Sequence, residues 1–159
     1  MGIYQKLAGA SAGAVVFAWA QCASAGTIIK VTLMDKGSGV EMASDHGMGM
    51  ANMDMPSNMA VKLSTNKVAA GEVTFLVTNS STEMEHEMIL VPFAGKALPY
   101  DDKNAKLNED EAGSLGEVSE TKPGHSGQLK LKLKPGNYVL FCNIPGHFAN
   151  GMWAKLTVE

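Results

Sequence analysis

The stretch Gln128-Leu-Lys-Leu-Lys-Leu-Lys-Pro-Gly-Asn-Tyr-Val-Leu-Phe-Cys142 predicts the fold class of this chain. Leucine and lysine alternate through its first half, which is typical of a strand with one buried face and one face in water. Lys134-Pro-Gly-Asn137 has the composition of a tight turn, and an apolar run follows it to Cys142. We therefore predict two strands joined as a hairpin.

Short segments of β-branched and apolar residues extend this pattern along the chain, with glycine, proline, asparagine and serine between them. The segments that predict strands are Thr27–Met34, Met59–Leu63, Glu72–Asn79, Met88–Pro92, Gln128–Lys134, Tyr138–Cys142 and Met152–Val158. Asn66–Gly71 predicts a turn, and only Asn104–Ala112 has the composition of a short helix. The chain is therefore predicted to be an all-β sandwich of two sheets.

Two segments do not match the short-strand pattern. Residues 94–127 form a polar, glycine-rich and acidic stretch, which we predict to be a long loop insertion. Residues 42–59 contain six methionines and His46, with few other apolar side chains that would suit a core. Loops of this length in a compact domain are usually functional or disordered.

The first 25 residues have the composition of an export signal. Lys6 is their only charge, an apolar stretch covers Leu7–Ala20, and Ala23-Ser-Ala25 is a small-residue cleavage site. The apolar stretch is too short to cross a bilayer easily. We therefore expect residues 26–159 to form one domain in the periplasm, without membrane insertion, and we expect Cys22 to be removed with the signal.

Charge and cysteine content narrow the function classes. Without Lys6 the chain has 12 lysines, no arginine and 16 acidic residues, which gives a net charge of −4. This balance argues against nucleic acid as a partner and is compatible with a basic redox protein. Cys142 is then the single cysteine, and a lone thiol in an oxidising compartment needs burial or a metal.

Cys142 begins the most informative chemical pattern, Cys142-Asn-Ile-Pro-Gly-His-Phe-Ala-Asn-Gly-Met152. A thiolate, an imidazole and a thioether follow one another with four residues in each gap. One cysteine, two histidines and a weak axial methionine are the ligands of a mononuclear electron-transfer copper site. Pro145 and Gly146 are expected to bend the loop so that His147 returns to the metal, and Met152 is expected to point into the core.

The second imidazole must come from another segment, and three other histidines are present. His86 precedes the apolar run Met88–Pro92, so its side chain would share a face with core residues. His125 lies in the turn-rich segment Lys122–Gly127, and His46 lies among the methionines. We favour His86 and keep His125 as the alternative.

With this loop and His86 in view, the chain resembles the cupredoxins, small exported copper proteins of the plastocyanin, azurin and rusticyanin type. The resemblance covers about residues 59–159 and includes Val68–Asn79, Glu85–Leu90 and Leu133–His147. It implies a Greek-key sandwich with one type 1 copper. The spacing of the loop is closer to that of rusticyanin and auracyanin than to that of plastocyanin.

The resemblance also implies roles for individual residues. Electrons are expected to leave through the exposed edge of His147, near Pro145 and Phe148, where a redox partner would dock. Many family members have asparagine directly after the first ligand histidine, whereas this chain has Glu87 there and Asn143 after the cysteine. We therefore expect the bracing of the ligand loop to run in the opposite direction, from Asn143 and not from the residue after His86. The implied equatorial ligands are His86, Cys142 and His147, and the implied axial ligand is Met152.

Such a site suits two functions. The methionine-rich segment resembles the N-terminal extension of green cupredoxins linked to bacterial copper tolerance, and thioethers select Cu(I). We therefore favour periplasmic copper handling, with additional copper bound by Met42, His46, Met48, Met50, Met53, Met55 and Met59. The alternative is a dedicated electron carrier with a single copper. We expect a monomer. We also expect no enzymatic activity, because four histidines cannot also supply a multi-copper cluster and no catalytic triad or phosphate loop is visible.

Overall fold

The computed structural model describes residues 26–35 and 58–159. The predicted signal (residues 1–25) and most of the methionine-rich segment lie outside these ranges. In the described part of the chain, no helix is long and apolar enough to span a membrane. The elements are β1 (Thr27–Asp35), β2 (Met59–Leu63), β3 (Lys67–Val68), β4 (Gly71–Asn79), β5 (His86–Pro92), β6 (Tyr100–Asp101), β7 (Lys106–Leu107), α1 (Glu109–Ala112), β8 (Gly116–Thr121), β9 (Ser126–Leu133), β10 (Gly136–Phe141) and β11 (Trp153–Val158).

These strands form two main sheets, which confirms the predicted all-β sandwich. One sheet has the order β2-β1-β4-β9, and the other has the order β3-β11-β10-β5-β8. β1 is parallel to β4 and β3 is parallel to β11, whereas the other pairs are antiparallel. The connections β4–β5, β8–β9 and β9–β10 cross between the sheets, as in Greek-key sandwiches.

The main core lies between the two sheets and follows from the period-2 alternation of the strands. In β4, Val73, Phe75 and Val77 are fully buried, while Glu72 and Leu76 are exposed. A second apolar cluster covers the five-stranded sheet, and it is built from Ile89, Val91, Leu107, Ala112, Val139, Phe141 and Phe148. β5 and β10 are therefore buried on both faces.

β9 and β10 do not form the hairpin predicted from Lys134–Asn137. β9 pairs with β4 in the four-stranded sheet, whereas β10 lies between β11 and β5 in the other sheet. The physical reason is burial. The lysines of β9 stay in water, but Tyr138–Phe141 are all buried and need a central strand that is covered on both faces. The turn therefore links the two sheets.

Residues 94–127 contain more regular structure than a single loop. β6 and β7 pair with each other, and β8 adds an edge strand beside β5. The predicted helix Asn104–Ala112 is shorter, because Lys106–Leu107 forms β7 and the helix begins after Asn108, whose side chain accepts a hydrogen bond from the Glu111 N–H at 3.2 Å. Gly113 ends it with φ 74°.

Candidate metal centre

The predicted copper ligands meet at one end of the sandwich. His86 is the first residue of β5, Cys142 directly follows β10, and Met152 directly precedes β11. The ligand loop, defined here as residues 142–152, connects the two strands. Cys142, Met152 and His86 are fully buried, and His147 is 5% exposed.

Backbone hydrogen bonds close the ligand loop on itself. The Cys142 N–H donates to the Met152 carbonyl at 3.0 Å, and the Met152 N–H donates to the His147 carbonyl at 3.1 Å. The His147 N–H donates to the Ile144 carbonyl at 2.9 Å, which folds the ring back towards Cys142. Gly146 has φ 83°, a conformation that glycine adopts without steric cost. The tight, inward loop expected from the sequence is therefore observed.

Three donor atoms face one another at this end. The Nδ1 atoms of His86 and His147 are 3.2 Å apart, and the Cys142 Sγ lies 3.3 Å from the His147 Nδ1. All three donors lie within 4.8 Å of one another. Met152 belongs to the same buried cluster as Cys142. The alternative ligand, His125, is exposed in a turn and is not part of this group.

Burial sets the protonation states of the metal-free site. It raises the pKa of the Cys142 thiol to about 11 and lowers the pKa of His147 to about 4. Burial also lowers the pKa of His86, against an opposing effect of the Asp35 carboxylate. At neutral pH the site therefore holds one thiol and two neutral imidazoles. This set fits copper, because the imidazoles need lose no proton and only the thiol must be deprotonated on binding.

Glu87 and Asn143 hold the ligand loop from two sides. The Glu87 N–H donates to the Cys142 Sγ at 3.4 Å, and the Glu87 Oε1 accepts the Asn143 N–H at 3.0 Å. The Asn143 side chain turns away and bonds both backbone groups of Leu107 and the Glu109 Oε1. The expectation of bracing in the opposite direction is therefore wrong, because the Asn143 side chain forms its hydrogen bonds with the 94–127 segment. Burial, with a smaller contribution from nearby Glu120, raises the pKa of Glu87 to about 7.

The surface beside His147 is more covered than the sequence predicted. Phe148 is only 4% exposed, because its ring packs against Phe141 at 5.7 Å and Tyr100 at 6.1 Å between centroids. Tyr100 belongs to β6, so the 94–127 segment provides this cover. Pro145 is exposed and remains the outward part of the ligand loop.

Most of the predicted additional copper ligands lie outside the part of the chain that the structure describes. His46 and Met42, Met48, Met50, Met53 and Met55 lie outside the described residues. Met59 begins β2 and packs, partly buried, against the main core. Sequence reasoning missed Asp35, whose Oδ2 lies 3.3 Å from the His86 Nε2. The only signal was an acidic residue at the end of an apolar strand.

Fold and donor set together define a cupredoxin, a type 1 copper protein of the electron-transfer class. The model of the family "Copper binding proteins, plastocyanin/azurin family" matches residues 49–159, and the chain belongs to this family. No curated protein matches the sequence.

Two solved structures illustrate the similarity of fold. Auracyanin A, a "blue" copper protein from Chloroflexus aurantiacus, is 18% identical, with 85% of this chain and 100% of that chain covered and a TM-score of 0.53. Rusticyanin from Thiobacillus ferrooxidans is 17% identical, with 85% and 79% covered and a TM-score of 0.51. At these identities the likeness supports the fold alone.

Proposed function

We propose that this cupredoxin is an exported, non-enzymatic copper-handling protein that holds one copper with His86, Cys142, His147 and Met152. The observation that carries the ligand assignment is the convergence of three buried donors within 4.8 Å from two separate segments. Bound there, copper would supply one-electron chemistry through its Cu(II) and Cu(I) states. A thiolate and imidazoles suit Cu(II), and a thiolate and thioether suit Cu(I).

The protein's contribution is to fix these donors before a metal arrives. The loop hydrogen bonds hold Cys142 and His147 in place, and the Glu87 N–H stabilises negative charge on the sulfur. Complete burial keeps water from the sulfur, which protects the thiol from oxidation. A rigid site of this kind changes little between oxidation states, so little reorganisation opposes electron transfer.

Copper handling beyond this site is proposed from the methionine-rich segment. Asp35 precedes this segment and is directly paired in the β1–β2 ladder with Met59, the last residue of the segment. Asp35 also contacts His86, so the chain leaves and re-enters the sandwich at the ligand end. This placement supports a role for His46 and the methionines of residues 42–59 in binding additional Cu(I), as part of copper tolerance in the periplasm.

A dedicated electron carrier is the second candidate. Exposed Pro145, beside nearly buried His147, offers a small surface on the ligand loop where a redox partner would dock. The net charge of −4 without Lys6 suits a basic partner. In this alternative one copper per chain is sufficient.

Copper stoichiometry separates the two functions. The five methionines Met42, Met48, Met50, Met53 and Met55 are replaced together by serine, while Met59 is kept because it packs against the core. The matched control is Met84→Ser, a 36% exposed methionine outside the segment. Copper handling predicts Cu(I) uptake above one per chain that only the fivefold variant loses, together with a loss of copper tolerance. Unchanged uptake and tolerance would leave the electron carrier as the function.

A further inference from the structure

Asp35 places a buried carboxylate directly behind a predicted copper ligand. It is the last residue of β1 and is 6% exposed, and its Oδ2 lies 3.3 Å from the Nε2 of fully buried His86. β1 belongs to the four-stranded sheet and His86 begins β5 of the five-stranded sheet. The pair therefore bridges the two sheets at the ligand end.

The two nitrogens of His86 have different surroundings. The Nδ1 faces the Nδ1 of His147 at 3.2 Å, and the Nε2 faces Asp35. An ionised carboxylate only accepts hydrogen bonds, so this contact is satisfied when the Nε2 carries the proton. The Nδ1 then keeps its lone pair and faces the site as a donor. Carboxylates that bind the far nitrogen of a ligand histidine fix its tautomer and raise its basicity.

Charge acts in the same direction as the hydrogen bond. A carboxylate beside a buried imidazole interacts strongly with other charges, because little water screens it. Its attraction for a divalent cation is greater than that for a monovalent one. Removing the charge while keeping the hydrogen-bond acceptor therefore separates an electrostatic role from a structural one.

We propose that Asp35 is a positioning residue that fixes His86 with its Nδ1 towards the metal and favours Cu(II) over Cu(I) at this site. The inference rests on the proposed ligand assignment. Asp35 would then set the redox preference of the site from the strand end that precedes the methionine-rich segment.

Two substitutions at one position test the two effects. Asp35→Asn keeps an oxygen acceptor but removes the charge, and Asp35→Ala removes both. We expect Asp35→Asn to lower the preference for Cu(II) about tenfold, which equals about 59 mV of increase in potential for a one-electron couple. Asp102→Asn, at an exposed site, is the control for a surface charge and should leave the potential unchanged.

Nitrogen-15 NMR of metal-free protein gives a readout that needs no copper. We expect the wild type and Asp35→Asn to show His86 protonated on Nε2, and Asp35→Ala to show a mixture of tautomers. A wild-type spectrum with the proton on Nδ1 would overturn the proposal without any variant. A potential of Asp35→Asn equal to that of Asp102→Asn would overturn the electrostatic part. Absence of a Cys-to-copper band in the wild type would instead refute the ligand assignment.

Discussion

Asn143→Ala tests whether the 94–127 segment supports the ligand loop. The Asn143 side chain accepts the Leu107 N–H at 2.7 Å and donates to the Leu107 carbonyl at 3.0 Å and the Glu109 Oε1 at 2.8 Å. Asn143 is 1% exposed and Leu107 is 4% exposed, so water does not readily replace these bonds.

The expected loss follows from what the substitution leaves behind. A buried N–H without a partner costs about 1–3 kcal/mol, and an ordinary hydrogen bond contributes about 1 kcal/mol. Because the Leu107 N–H is left without a partner and two further hydrogen bonds are lost, we expect metal-free Asn143→Ala to lose about 3 kcal/mol of unfolding free energy. At about 2 kcal/mol/M, typical for urea, the midpoint would fall by about 1.5 M.

Urea unfolding of metal-free protein, followed by circular dichroism, measures this difference. The matched control is Asn104→Ala, because Asn104 is exposed and its side chain donates to the Asp101 Oδ2 at 2.6 Å. We expect the control to lose less than about 1 kcal/mol. Equal losses in the two variants would refute the claim that Asn143 joins the segment to the loop.

Three further predictions concern a ligand, a buried acid and the core. His86→Ala should abolish the wild-type visible spectrum of the copper-loaded protein, whereas His125→Ala, at an exposed turn, should leave it unchanged. Glu87 has a pKa raised from 4.5 to about 7, so native metal-free protein loses stability as the pH rises through this window. The unfolding free energy of Glu87→Gln, measured with urea relative to that of the wild type, should therefore increase by about 2 kcal/mol from pH 5 to pH 8. Phe75→Ala should cost about 3–5 kcal/mol in the same assay, because Phe75 is fully buried.

The sequence predicts most of the strands but not how the chain crosses between sheets. Alternation in Glu72–Asn79 and Gln128–Lys134 marks strands with one wet face, and both segments are strands. The predicted pairing of β9 with β10 is wrong, because a tight turn has a similar composition whether it joins two strands of one sheet or strands of two different sheets. The sequence does not predict β8, because only Val118 and Thr121 of its six residues are buried. An edge strand with so few inward apolar residues leaves little periodicity to read.

The sequence likewise predicts some residues of the candidate site and not others. Regular spacing and the scarcity of cysteine pointed to Cys142, His147 and Met152, because donors on one short loop must lie near one another. His86 was harder to assign, since nothing in the sequence relates a strand start to a distant loop. Asp35 was not predicted at all, because its contact with His86 depends on how two sheets meet.

The most direct test of the copper site is a Cu(II) titration of the wild type and Cys142→Ser, followed by visible absorption and metal analysis. We predict an intense Cys-to-copper charge-transfer band that saturates at one copper per wild-type chain and is absent from Cys142→Ser. No band in the wild type, or the same band in Cys142→Ser, would contradict this prediction.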